Sequence, residues 1–375
     1  MREARCIEQV VVYRQPQRFA GWPANYGMWC WDRELVVLFS EGAFLIADKP
    51  HKIDNHQPVR TLQARSLDDG HSWTVEPFTG LTPKRRAINI DEHISGEHKI
   101  GNPYQGEHPP VPFQGHLDFT CPEAVILVGR TTCKDLPETP FSWFHVSHDR
   151  CRSWEGPYRF SGLDESLHLA ARTDVIALAS RHALFMMTCH KSNGREGRIF
   201  CAETRDGGQT FGHLSWLADE LPDGYEIMPS SVRLEEGRII TASRVGLGQW
   251  VSSGSIPIYE SPDNGMSWKA LPPAVPATGR LSNPPALLRL RDGRLCLVYG
   301  FRDMPSGIRA RLSANAGRSW GEEIVLREDG GDHDLGYPRA VLNSEGNVVA
   351  AYYYNTHRDT ERFIGAGIWD AEGEG

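Results

Sequence analysis

Ser66-Leu67-Asp68-Asp69-Gly70-His71-Ser72-Trp73 decides how this chain folds, because its pattern returns four more times. A hydroxyl residue is followed two positions on by Asp, two further on by Gly, and the pattern ends on a hydroxyl and an aromatic residue. The other copies run from Ser147 to Trp154, Thr204 to Phe211, Ser261 to Trp268 and Ser313 to Trp320. Cys151 replaces the Gly of the second copy and Asn315 the Asp of the fifth. Each copy has the chemistry of a tight β-hairpin: the Asp carboxylate accepts from backbone N–H groups further along, Gly takes a positive φ, and the aromatic packs under the turn. The copies start at 66, 147, 204, 261 and 313, so they lie 81, 57, 57 and 52 residues apart. A period of that size, filled with short strands, predicts the blades of an all-β propeller.

The pattern resembles the Asp-box, or BNR repeat, of sialidases and related propellers, where it sits on the outer hairpin of a blade. With the box placed between the third and fourth strands, blade one runs from about Gly21 past Trp73. Blade two takes His116 to Phe119, Ala124 to Gly129, Ser142 to Ser147 and the strand after Trp154. Blades three, four and five begin near Ala170, Glu226 and Ser282. Leu335 to Trp369 offers three strands without a box. The apolar run Val10 to Tyr13, in a strand of about residues 8–14, supplies a fourth and closes the ring. The expectation is therefore a six-bladed β-propeller in which residues 1–375 form one domain, with a long loop at about 77–115.

Composition narrows the partners. The chain carries 40 Lys and Arg against 48 Asp and Glu, a net charge of -8, and has no basic block, which argues against a nucleic-acid surface. No run of 18 apolar residues exists for a membrane span, and no apolar stretch follows the charged Met1 to Arg5, so a cytoplasmic location is expected. Eight cysteines without CxxC spacing read as buried thiols, and His93, His98, His108 and His116 match no helical metal motif. No metal and no cofactor is expected; the oligomeric state is not legible.

Inner strands of a propeller line a central channel, and their starts meet at one face. That position collects Trp22 and Asn25, His116 and Asp118, Arg172 and Asp174, Glu226, Asn283, and Asp334, Tyr337 and Arg339. Buried charges are costly unless paired, so the collection reads as a ligand site. Resemblance to sialidases extends to Leu335-Gly336-Tyr337-Pro338-Arg339 and implies Tyr337 as nucleophile, with a carboxylate, Glu226, drawing off its proton. A tyrosine at a strand start also serves simply to pack. The resemblance implies Asp54, twelve residues before Ser66, as the general acid; a turn cap is the alternative.

Sialidases clamp the substrate carboxylate with three arginines, and Arg172, Arg195, Arg198, Arg244, Arg302, Arg309 and Arg339 are the candidates here. Gly21-Trp22-Pro23 stands where the family has Arg-Ile-Pro, and Met228-Pro229-Ser230 stands near its glutamate, which argues against ordinary sialic acid as the glycone. Alternation on a strand would put His116 and Asp118 on one side as an acid–base pair. The expected activity is hydrolysis of an acidic, terminal sugar. The alternatives are a polysaccharide lyase using Tyr337, His116 and Arg339 beside a uronic acid, and a non-catalytic sugar-binding propeller.

Overall fold

The computed structural model describes residues 1–5, 7–47, 49–83, 88–89, 108–131, 141–163, 165–248 and 253–374. Among the described residues six sheets, antiparallel except for the short edge strands Arg2–Glu3 and Val111–Pro112, stand as six blades of one propeller. Blade 4 shows the plan: Tyr225–Arg233 innermost, then Ile239–Leu247, Ser253–Ser261 and Lys269–Val275. Leu184, Met186 and Cys201 of blade 3 bury against Ile239 and Tyr259 of blade 4, and the other blades meet through similar slabs. Each such side chain contributes about 2 kcal/mol by leaving water.

The repeat forms the turn between third and fourth strands. In its first copy Asp68 Oδ1 accepts from the Ser72 N–H at 2.9 Å and Oδ2 from the Ser72 hydroxyl at 2.6 Å. Ser66 Oγ accepts from the Gly70 N–H at 2.9 Å. Asp69 and Gly70 both take positive φ, 63° and 98°, as a two-residue hairpin turn with right-handed strand twist demands. The deviant copies keep this scheme. Asn315 Oδ1 still accepts from the Ser319 N–H at 2.9 Å while its Nδ2 donates to the Ser319 hydroxyl at 2.8 Å. Cys151 tolerates a φ of 64° at the glycine position.

The chain ends lock the ring. Ile7–Tyr13 pairs antiparallel with Phe363–Trp369 as the outer strand of blade 6, and Arg2–Glu3 adds a strand to blade 5. Glu374, its side chain fully buried, accepts from the Arg5 N–H at 2.5 Å, from Trp369 Nε1 at 3.0 Å and from the Arg2 guanidinium.

Blade 2 departs from the sequence reading. His116 to Phe119 is not a strand; Leu117 N–H donates to Gly207 O and Phe119 N–H to Ser180 O, at the hairpin ends of blade 3. Val125–Thr131 is the innermost described strand, and Val111–Pro112 pairs parallel with Glu155–Arg159 at the outer edge. Asn89 lies inside Val125–Thr131, donating from Nδ2 to Val128 O and accepting at Oδ1 from the Arg130 N–H. The insertion thus reaches the inner side of blade 2, which displaces the expected first strand. His93 and His98 lie outside the described residues.

Candidate functional site

Inner strands are broken where proline follows a residue of positive φ. Proline has no N–H for the ladder, so the strand slips past its partner and the preceding side chain is re-aimed. This happens at Trp22-Pro23, Met228-Pro229 and Tyr337-Pro338, where φ is 61°, 55° and 49°. The pairing skips between Ile227 and Ser230 in blade 4 and between Gly336 and Arg339 in blade 6. Gly336, at φ 103°, has no room for a side chain: a Cβ would lie 2.4 Å from Asn283 Nδ2.

Around Tyr337 the ends of blades 4, 5 and 6 converge. Arg244 Nη1 donates to the Tyr337 hydroxyl oxygen at 2.6 Å, Nε to Ser282 Oγ at 2.7 Å and Nη2 to Leu281 O at 2.7 Å. The Arg302 guanidinium lies 5.5 Å from the Tyr337 ring centre and donates to Leu335 O, Ser282 O and the Tyr353 hydroxyl. Among the described residues its hydrogen bonds go to neutral oxygens, and its charge acts on the nearby Asp334 carboxylate. Asn283 Oδ1 accepts the Tyr337 N–H at 2.9 Å. Trp22, wholly buried, packs 6.2 Å from the Tyr353 ring, and Tyr353 stands edge-on to Tyr337 at 5.9 Å.

Beside this group lies a pair absent from the sequence expectation. His51, in the loop between Glu34–Ala43 and Arg60–Ser66, has Nδ1 2.7 Å from Asp334 Oδ1. Asp334 also accepts from the Lys52 N–H at 3.1 Å, the Tyr353 hydroxyl at 2.8 Å and Arg362 Nε at 2.9 Å. Burial pushes its carboxyl up, but His51, Arg362 and Arg302 outweigh burial and hold it well below the usual carboxylate range. Asp334 is among the residues the sequence collects just before the inner strand of blade 6; nothing in a loop of irregular spacing marks His51.

Tyr337, Arg244, Arg302, Asn283 and Trp22 therefore come together, and several other candidates do not. Glu226 does not support Tyr337: it accepts from the Ser243 hydroxyl and bonds Tyr259, and burial raises its carboxyl. The skip at Ile227 to Ser230 turns Met228, whose sulfur lies 3.7 Å from Arg244 Nη1, toward that group instead. His116 and Asp118 sit by the turn of blade 3, where Asp118 Oδ1 caps the Thr120 N–H at 2.9 Å, so they form no acid–base pair at the mouth. Arg309 is paired with Glu323 and stacked on Phe301, and Arg198 stacks 3.6 Å from the Trp216 ring centre. Arg195 is exposed in the turn after Lys191, and the Arg172 side chain lies outside the described residues. Asp54 Oδ1 accepts the His56 N–H at 2.9 Å in the loop that carries His51.

Arg339 faces the channel, not the mouth. It donates to Ala24 O and Tyr26 O and, with Asp174, lines a cavity of about 240 Å³ that also reaches Asp118 and Phe119. Asp174 stands on blade 3 and Arg339 on blade 6, so their attraction spans the ring. Among the described residues no cluster of His, Cys, Asp and Glu is arranged to hold a metal, and no helix is long and apolar enough to cross a membrane.

Six blades with hairpin turns of this kind define a six-bladed β-propeller of BNR-repeat type. The model of the BNR repeat-like domain matches residues 126–349, more than half of the chain, and the chain belongs to that family. A Dyadobacter fermentans protein of unknown function is similar at 21% identity and a TM-score of 0.69, over 98% of this chain and 99% of that one. Trypanosoma rangeli sialidase is similar at 12% identity and a TM-score of 0.62, over 99% of this chain and 60% of its own. The GH93 α-L-arabinofuranosidase of Fusarium graminearum, solved with arabinobiose, is similar at 12% identity and a TM-score of 0.57, over 99% of both chains. No curated protein matches.

Proposed function

We propose that this chain is a glycoside hydrolase that cleaves an anionic sugar at the mouth of the propeller, with Tyr337 as nucleophile. The observation that carries the reading is the 2.6 Å bond from Arg244 to the Tyr337 oxygen. A guanidinium there stabilises negative charge on that oxygen as it attacks and as it leaves, in a site shielded from water where such charge counts most. Arg302 shares its charge with Asp334 and, together with Arg244, sets guanidinium groups beside Tyr337 that would draw a carboxylate-bearing sugar. Glycoside hydrolases among the structural relatives support the reaction class. Trp22, in place of an arginine, supports a glycone other than ordinary sialic acid.

The test is a panel of aryl sialosides, uronides and arabinofuranosides, with polyuronides beside them, assayed with wild type, Tyr337→Phe and Arg244→Met. Turnover abolished by Tyr337→Phe, with a fluorinated glycosyl fluoride trapped on Tyr337 in the peptide mass spectrum, supports the proposal. An unsaturated product absorbing in the near ultraviolet would assign a lyase. Binding that survives Tyr337→Phe without turnover by wild type would assign a sugar-binding propeller.

A further inference from the structure

We infer that His51, oriented by Asp334, is the acid–base residue of this site, and that Asp54 of the same loop is not. The inference rests on the hydrolase reading above and assigns its proton donor. Three observations carry it.

First, Asp334 is built to hold an imidazole. Its side chain is fully buried, and its oxygens take His51 Nδ1, the Lys52 N–H, the Tyr353 hydroxyl and Arg362 Nε. A carboxylate kept ionised by such donors accepts from Nδ1 in either charge state of the ring. Nε2 is then the nitrogen that takes up and gives off a proton, as in other carboxylate–histidine pairs.

Second, the pair is tied to the nucleophile. Asp334 and Tyr337 share one segment at the start of blade 6, and Tyr353 bonds Asp334 through its hydroxyl while its ring packs 5.9 Å from Tyr337. Trp22 completes the wall, 5.1 Å from His51 and 6.2 Å from Tyr353. A large aromatic where the family has an arginine is thus the surface against which the imidazole stands edge-on.

Third, Asp54 Oδ1 caps the His56 N–H in the turn that carries the loop back to Arg60–Ser66, and no described bond joins Asp54 to Tyr337, Arg244 or Asp334.

The chemistry balances. The Tyr337 hydroxyl proton passes to solvent, and its oxygen bonds to the anomeric carbon. The bond from that carbon to the leaving oxygen breaks, its electron pair stays on that oxygen, and His51 Nε2 gives the oxygen a proton. In the second step neutral Nε2 takes a proton from water, whose oxygen attacks the anomeric carbon and displaces the Tyr337 oxygen, and that phenolate, held by Arg244, takes back from solvent the proton given up in the first step.

A proton donor matters in proportion to how poor the leaving group is, and a merely structural residue shows no such dependence. The experiment compares 4-nitrophenyl and methyl glycosides of the uronide or sialoside that wild type cleaves. His51→Asn and His51→Gln are expected to lose roughly 10²–10⁴-fold in glycosylation rate on the methyl glycoside and less than about tenfold on the 4-nitrophenyl glycoside. Asp334→Asn should show the same selective loss, weaker, together with a mixture of ring tautomers at His51 in the ¹⁵N spectrum. Equal losses on both substrates for His51→Asn and His51→Gln, in protein with an unchanged melting curve, overturn the inference while leaving Tyr337 in place. So does the selective loss appearing in Asp54→Asn instead. Turnover that survives Tyr337→Phe, or no turnover by wild type, overturns the hydrolase reading, and the inference with it.

Discussion

Asn283 holds Tyr337 by its backbone: Oδ1 accepts the Tyr337 N–H at 2.9 Å while Nδ2 donates to Leu335 O at 3.1 Å. One amide from blade 5 thus spans Gly336 and fixes the left-handed step that aims the tyrosine. Asn283→Ala leaves a buried N–H and a carbonyl one acceptor and one donor short, for a loss on the order of 2–4 kcal/mol in denaturant unfolding. Turnover should fall further than substrate binding, because the oxygen of Tyr337 loses its place more than the mouth loses its shape.

Glu226 makes a contrasting case. Burial raises its carboxyl above the ordinary 4.5, with Ser243 and Tyr259 offsetting only part. A carboxyl raised in the folded state contributes stability that is present below its ordinary value and lost as pH rises through the raised one. Glu226→Gln is therefore expected to gain in melting temperature over wild type at pH 7 and to show a smaller gain at pH 4. Its turnover should stay within about threefold of wild type, since no described bond joins Glu226 to the Tyr337 group; a loss of 10²-fold would restore it to the mechanism.

Trp22→Arg tests whether the family's third arginine can simply be put back. The site is packed solid by Phe19, His51 and Tyr353, with Phe19 4.7 Å away. The substitution is expected to cost about 3–5 kcal/mol and to bring no sialoside cleavage, by melting curve and aryl sialoside assay.

Glu374→Ala unlocks the ring seam. Removing its carboxylate leaves the Arg5 N–H and Trp369 Nε1 without their acceptor and takes one anion from Arg2, which keeps Glu322 and the Glu374 carbonyl, for a loss of about 2 kcal/mol. Limited proteolysis should then cut first near Arg14, before any cut inside blades 3 and 4.

How much of this could be read beforehand differs by residue. Hairpin turns speak through local chemistry, so the five copies set the blades and put Tyr337 and Asn283 at strand starts of one face, while Arg244 and Arg302 stand in the sequence only as candidate clamp arginines. Glu226 was misjudged because a proline slip changes which side of the sheet a residue faces, and one position suffices to reverse it. His116 and Asp118 differ from the expectation because the 81-residue interval hides an insertion whose Asn89, not residues 116–119, lies against Val125–Thr131, leaving that strand the innermost described one of blade 2. His51 carries no periodic signal; only the fold brings it to Asp334, 283 positions away.

The seam between Ile7–Tyr13 and Phe363–Trp369 has a consequence in time as well as space. During synthesis the outer strand of blade 6 precedes blades 1 to 5 and its three partners follow them, so it waits through five blades. The Tyr337, Asp334 and Tyr353 group belongs to that last blade and meets His51 of the first only when the circle shuts. A chain cut short before Phe363 leaves Ile7–Tyr13 without its partner strand.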